Sequence, residues 1–497
     1  MKLVSRRKIR QCSLFVGLVI GVVLTLGAIY EVQLNKEIEH FKTYFRVKRD
    51  SIKGIYNPFE IKQIPEETID ELYNLQIKKY GDSIDWDKYA YYNYVANIDY
   101  LCNTLVMFDQ LLNKYHTKAK LALLVSRDLV ESDSEDTRDQ ARVLLDRIMK
   151  LDEKRVIVKL VNSIKKPNDQ TQWSDSLTKL LVFNETEFER IIFLDNDAIL
   201  TGNMDELFFL PSHIKFAAPI TYWFLSESDV SRASTQLSKD QKSSTNLNVY
   251  LRKLKARVWD GKMIYNHLPN LPSSLYLDHK NAAKEILLSS SYIARLLNLG
   301  RKSHTGRVIF ASDVMVIKPS TETFNRIMLD ILPRTVNKGK AYDMDIINDE
   351  LYNLKKIIYK QFTIFKKLKK NFVPEVMVLP FGRYGLLTGS IRNKNHYSMI
   401  ANDILGYKRH SIEGEEVHFD LSNLMNTTKY MHLSDYPLAK PWVYTTLDMI
   451  ECHPDEISNA SNKESCKLWN SVYRGFMESR DICKETVERT VETALST

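Results

Sequence analysis

A series of short runs, apolar at nearly every position, punctuates the middle of this chain: KAKLALLVS, RVIVKLV, RIIFL, KFAAPI, RVIFASDVMVI, EVMVLP and KYMHL. A strand wetted on one face alternates apolar and polar residues, so continuous runs of this kind must be covered on both faces. Stretches with other patterning lie between them, and SDSLTKLLVFNETEFE reads as an amphipathic helix. This alternation predicts an α/β fold, a mixed, mostly parallel sheet with helices on both faces. The 497 residues exceed one ordinary domain, and 44% hydrophobic with 27% charged residues is the balance of a folded globular chain able to bury a large core.

One of these runs ends on charge. Arg190 to Leu194 leads directly into Asp195, Asn196 and Asp197, although an unpaired carboxylate at the end of a buried strand is expensive. Ligands of open α/β sheets collect at the carboxyl ends of strands. Alternate residues of extended chain point the same way, so the two carboxylates can converge on one hard cation, Mn²⁺ or Mg²⁺. Such a cation completes its shell with phosphate oxygens and neutralises a diphosphate leaving group. Asp-Asn-Asp is also good turn chemistry. The same spacing recurs at Asp85-Trp-Asp87 and Asp343-Met-Asp345, but only the pair at 195 and 197 follows a strongly apolar strand.

The first thirty residues are of another kind. Lys2, Arg6, Arg7, Lys8 and Arg10 precede an uncharged run from Cys12 to Tyr30, long enough to cross a bilayer as a helix. Basic residues stay cytosolic, which predicts a cytoplasmic tail at 1–11, a transmembrane anchor at 12–30, a charged stem at 31–85 and a lumenal domain at 86–497. A cleaved signal peptide is the competing reading, opposed by the length of the run and the lack of an A-x-A-like exit. Within the lumenal domain, about 225–305 reads as an insertion and about 446–497 as a cysteine-bearing tail. Sequons at Asn184, Asn426 and Asn459 agree with translocation. Of the five cysteines, Cys12 lies in the apolar run; Cys452, Cys466 and Cys483 predict at least one bridge, whereas Cys102, in an apolar helix, reads as core. The net charge of +8 is spread along the chain and gives no footprint for nucleic acid.

The stretch SLTKLLVFNETEFERIIFLDNDAILTGNMDELF, Ser176 to Phe208, resembles the helix, strand, D-x-D and D-E-L-F of the glycogenin-like transferases, glycosyltransferase family 8. YDMDIINDELYNLKKIIYKQF, PFGRYGLLTGSIRN and HLSDYPLAKPW carry a closer likeness to fungal Golgi α-1,2-N-acetylglucosaminyltransferases within that family. The likeness extends into the apolar anchor and the cysteine-bearing tail. It implies a GT-A type nucleotide-sugar-binding fold and a single-pass type II protein of the Golgi, or also vacuole, membrane. It implies retaining transfer of N-acetylglucosamine from UDP-GlcNAc, in α-1,2 linkage, onto a mannose-terminated N-linked or mannan side-chain glycan.

Carried over position by position, the resemblance implies that Asn97 and Tyr100, in YVANIDYLCNTLVMF, contact uridine. Lys179 matches a basic residue that reaches the donor's diphosphate or sugar. Asp343, in DMDIIN, matches a donor-sugar contact and Asn348 a structural residue. His432 matches a third metal ligand beside Asp195 and Asp197, and Lys440 a diphosphate-binding lysine ahead of Pro441 and Trp442. Ala311 and Asp313 depart from the Asn and Gly usual in the family. The interval from His432 to Lys440 is also longer than in relatives, with Ser434 and Asp435 where the family has a Gly, and the added residues, the loop stiffened by Pro437, are expected to bulge outward without moving either functional end.

The rival readings are transfer of another UDP-hexose, glucose or galactose, on the same fold; a lumenal metal phosphohydrolase; and a non-catalytic lumenal scaffold. The lysine-rich LKKIIYKQFTIFKKLKK reads as a solvated helix face or, alternatively, as a face for membrane or anionic glycan. Tyr384 reads as core, with the acceptor side as the alternative. His267 and His304 stand alone and receive no role.

Overall fold

The computed structural model describes residues 17–22, 25–26, 61–275, 308–357, 375–392 and 421–484, apart from gaps inside those ranges, the longest at 236–246. Most of the expected anchor and the stem to residue 60 lie outside the described residues. So do Asn459, His304, Pro437, nearly all of the lysine-rich segment and the second half of the expected insertion. Among the described residues no helix is long and apolar enough to cross a membrane.

Seven strands form the main sheet in the order β3-β2-β1-β4-β7-β6-β8. They are β1 (Tyr89–Val95), β2 (Lys120–Ser126), β3 (Val156–Val161), β4 (Arg190–Leu194), β6 (Phe216–Ala218), β7 (Val314–Ile317) and β8 (Val376–Val378). Neighbours run parallel except at β7, which is antiparallel to both β4 and β6. The period of two assigns the side chains of β4 to opposite faces. Ile191 and Phe193 enter one core, with the 3₁₀ helix Ser176–Asn184; Ile192 and Leu194 enter the other, with the helices Ile98–Asp109 and Glu135–Leu151. A strand with a core on each side has no place for a polar residue until it ends, which is why its carboxylates come only at its C-terminus.

A second sheet is small: β5 (Ala198–Leu200) pairs antiparallel with β10 (Tyr430–His432), which pairs parallel with β9 (Leu386–Leu387). Behind it the C-terminal helix Ala460–Ser479 packs Trp469, Tyr473 and Phe476 against Leu433 and Trp442.

Several expectations change here. KYMHL joins the small sheet, not the main one. RVIVKLV becomes the edge strand β3 and is only half-buried, because a single neighbour pairs with it. The expected helix before β4 is a 3₁₀ helix. The stem does not run to residue 85: Ile61, Ile64 and Ile69 are fully buried, and the helix Glu66–Tyr80 packs on the helix Leu247–Trp259. Glu71 ties the two together, accepting from Trp259 Nε1 at 2.6 Å and Lys255 Nζ at 2.5 Å. Apolar residues that could serve a free stem are here used by part of the insertion. Cys102 is buried but also bridged, to Cys483, while Cys452 bridges Cys466; the helix Ile98–Asp109 presents it to the C-terminal turn across 381 residues of sequence.

Candidate active site

β4 delivers its acidic turn into the space between the two sheets. The Asp195 amide donates to the Asp313 carbonyl at 2.8 Å, and Asn196 Nδ2 donates to the Tyr94 carbonyl at 3.0 Å and Thr104 Oγ1 at 3.2 Å. With Asn196 pinned to β1 and the following helix, Asp195 and Asp197 are left facing a cleft of about 760 Å³. β5 then begins at once, and its register with β10 sets His432 opposite Ala198. Leu433 N donates to the Asp197 carbonyl at 2.9 Å, so main-chain bonds alone bring His432 beside Asp197.

Lysines meet both aspartates. Lys179 Nζ lies 3.0 and 3.2 Å from the two Asp195 oxygens and 3.0 Å from Asp343 Oδ2. Burial disfavours its charge, but Asp195 and Asp343 outweigh that and hold its pKa well above the usual lysine range. Lys440 Nζ lies 2.9 Å from Asp197 Oδ2 and 3.2 Å from Asp435 Oδ1, and also donates to the Leu433 carbonyl. Its pKa too is raised, by Asp197 and Asp435 against burial. The aspartates respond oppositely. Burial, with Asp197 and Asp343 nearby, raises the Asp195 carboxyl despite Lys179; at Asp197 burial is overcome by His432 and Lys440, and the carboxyl is held low. Burial keeps His432 below the ordinary histidine value, with Asp197 acting against it.

The remaining expected residues line the same cleft. Asn97 caps the helix Ile98–Asp109 by accepting from the Tyr100 amide at 3.0 Å, and Tyr100 meets the Trp442 ring edge-on with centroids 5.5 Å apart. All eight residues, Asn97, Tyr100, Lys179, Asp195, Asp197, Asp343, His432 and Lys440, thus border one cavity. The expected three-ligand metal set takes a different form. Asp197 Oδ1 and His432 Nδ1 face each other at 3.5 Å, and that buried nitrogen has no hydrogen-bond partner. Asp195 is instead turned to Lys179, a nearer and fully charged partner. Among the described residues no group of three or more His, Cys, Asp or Glu is arranged to hold a metal ion. Two protein ligands, completed by substrate oxygens, are what these residues fit.

The longer interval before Lys440 behaves differently from expectation. His432 and Lys440 do both reach Asp197, but Ser434 turns inward: its Oγ accepts from Gly389 N at 2.9 Å and its amide donates to Thr388 Oγ1 at 3.0 Å. Sequence reading also gave no role to several cleft residues. Asp175 accepts from Tyr94 Oη at 2.8 Å, while Trp173, Tyr342, Trp223 and Phe224 give the cleft aromatic walls; only Asp313, an acid inside the apolar run FASDVMVI, carried a readable signal. Tyr384 is core, fully buried and donating to Glu206 Oε1 at 2.7 Å.

No family model matches the chain. Glucose N-acetyltransferase 1 of Saccharomyces cerevisiae is 49% identical over 489 residues, 97% of this chain and 100% of that protein. Glucose N-acetyltransferase 1-B of Kluyveromyces lactis is 43% identical over 479 residues, 96% of this chain and 99% of that one. Among solved structures, the bifunctional glycosyltransferase WbbM aligns with a TM-score of 0.35 and 13% identity over 80% of this chain and 52% of its own, too loosely to bear on function.

Proposed function

The chain belongs to the glucose N-acetyltransferase family, and from that premise we propose that it transfers N-acetylglucosamine from UDP-GlcNAc to a mannose-terminated glycan. One observation carries the reading: the acidic turn after β4 meets two buried lysines and a histidine in a single cleft. A cluster with cations already desolvated suits a dianionic diphosphate as it departs. Asn97 and Tyr100, at the β1 end, are the uridine side in this reading, and Asp343 faces the sugar.

Asp197 and His432 would hold a divalent cation, and their mixed oxygen and nitrogen donors suit Mn²⁺ better than Mg²⁺. When bound, the cation would neutralise charge on the diphosphate. Lys440 sits against Asp197 and can share its protons with a phosphate oxygen placed there. Lys179 keeps Asp195 and Asp343 neutralised and in position. The sugar's anomeric carbon loses its bond to the phosphate oxygen and gains one to the acceptor hydroxyl, whose proton passes to the departing phosphate. Attack from the departing face retains configuration and gives an α product, read here as α-1,2. The site is assigned to the Golgi lumen behind the apolar segment 12–30.

The test is a donor screen with the purified full-length chain, recording UDP release with and without a mannoside. UDP-GlcNAc should give acceptor-dependent release and α-1,2-linked product. Preferential use of UDP-glucose or UDP-galactose would replace the donor, and phosphate release without sugar transfer would favour a phosphohydrolase.

A further inference from the structure

The cleft has a direction. Along one edge of the main sheet, Asn97 and Tyr100 follow β1, Asp195 and Asp197 follow β4, and Asp313 immediately precedes β7, on the side of β4 away from β1. Asp313 therefore stands across the acidic turn from the proposed uridine side. It lines the cleft and is 6% exposed, yet no other side chain bonds either carboxylate oxygen, and only its own amide and that of Val314 lie close to them. The backbone cannot turn it outward, because its carbonyl accepts from the Asp195 amide at 2.8 Å and Tyr430 Oη at 3.3 Å. Burial raises its pKa; His432, the amides of Asp313 and Val314, and Lys179 only partly offset this.

A dry carboxylate that no side chain serves is costly, and such groups persist where a ligand completes them. Phosphate would be repelled. A cation is better served by Asp197 and His432, and Asp313 joins no three-residue ligand cluster among the described residues. The remaining complement is a polar hydrogen, which a sugar carries in abundance and an ionised carboxylate can only accept. Resting on the nucleotide-sugar reading above, we infer that Asp313 is a specificity-determining residue that accepts a hydrogen bond from the transferred sugar, from a hydroxyl or from the N–H of a 2-acetamido group.

The test is calorimetric titration of the full-length chain, with Mn²⁺, by UDP, UDP-glucose and UDP-GlcNAc, comparing wild type with Asp313→Ala and the isosteric Asp313→Asn. A site built around a hydrogen bond discriminates strongly when that bond is removed. In Asp313→Ala the affinity advantage of UDP-GlcNAc over UDP should fall at least tenfold while UDP itself binds within twofold, and the variant should melt no lower than wild type. Loss confined to UDP-GlcNAc identifies the acetamido N–H; equal loss with UDP-glucose identifies a shared hydroxyl; both support the inference. It is overturned if UDP weakens as much as the sugar nucleotides, if both variants bind them unchanged, or if wild type binds them no better than UDP. Preference of wild type for UDP-glucose would remove the donor assignment alone, leaving Asp313 to be judged on UDP-glucose.

Discussion

Lys179 and Lys440 neutralise the two ends of one acidic turn, and their removal should fail in different ways. Lys179 is enclosed between Asp195 and Asp343, so Lys179→Ala leaves buried carboxylates facing each other without a cation. Breaking such a buried pair costs about 3 kcal/mol or more. Asp195, already raised by burial and its acidic neighbours, then gains its proton more readily in the fold than in the unfolded chain, so the lost stability returns as pH falls and grows as pH rises. Thermal melting should therefore show Lys179→Ala well below wild type at pH 8, with the gap narrowing toward pH 5; a gap that widens on acidification would contradict the pairing. Lys440 is buffered differently, since Asp197 retains His432 as a neighbour. Its charge matters most when the diphosphate leaves, so Lys440→Ala should lower kcat by roughly 10²- to 10³-fold with a smaller change in donor affinity. Steady-state kinetics giving unchanged kcat would remove Lys440 from the reaction.

At the scale of elements, the C-terminal helix and its flanking cysteines act on the proposed uridine side from a distance. Cys483 is bonded to Cys102, two residues after Tyr100 in the same helix, while Arg480 bonds Asp99 Oδ1 at 2.9 Å and lies 5.3 Å from the Trp442 ring centre. Trp442 in turn meets Tyr100, so the tail fastens the segment carrying Lys440 to the helix carrying Tyr100. Removing a bridge that closes so long a loop costs about 2–5 kcal/mol. Cys102→Ser should lower the melting temperature under non-reducing conditions and raise the KM for donor more than it lowers kcat; unaltered donor KM would confine the bridge to stability. Little of this was legible in sequence, because cysteine spacing carries no connectivity. What was legible follows from burial: β4 after Arg190 and β2 from Leu121 to Val125 are apolar at every position because a core covers each face. β3 has the same look but lies at the edge, and no local pattern states which strand has one neighbour. For the site, the residues were readable one by one, whereas their pairing was not. Lys179, Asp195 and Asp343 come from separate segments, and only the fold sets a lysine between two acids that sequence reading assigned to metal and sugar.

For the whole molecule, the disulfides and the surface argue together for a translocated body. Two bridges, Cys102 to Cys483 and Cys452 to Cys466, persist in oxidising compartments and are rare in the cytosol. Asn184 and Asn426 each open a sequon, and both are exposed, Asn184 ending the 3₁₀ helix Ser176–Asn184 and Asn426 lying in the helix Leu421–Thr427. Acceptors at these surfaces can carry glycan without entering the cleft lining. In the proposed topology the basic residues ahead of Cys12 stay in the cytosol and residues after Tyr30 are lumenal. In intact microsomes protease should spare all but a short N-terminal tail, and detergent should expose the body to digestion. Endoglycosidase treatment should lower the apparent mass, and Asn184→Gln and Asn426→Gln should each remove one increment if both sites are used. Thiol labelling of the denatured, unreduced protein should find Cys102, Cys452, Cys466 and Cys483 blocked. Digestion of the body without detergent, or free thiols at these four positions, would place the cleft in the cytosol and separate it from any lumenal glycan acceptor.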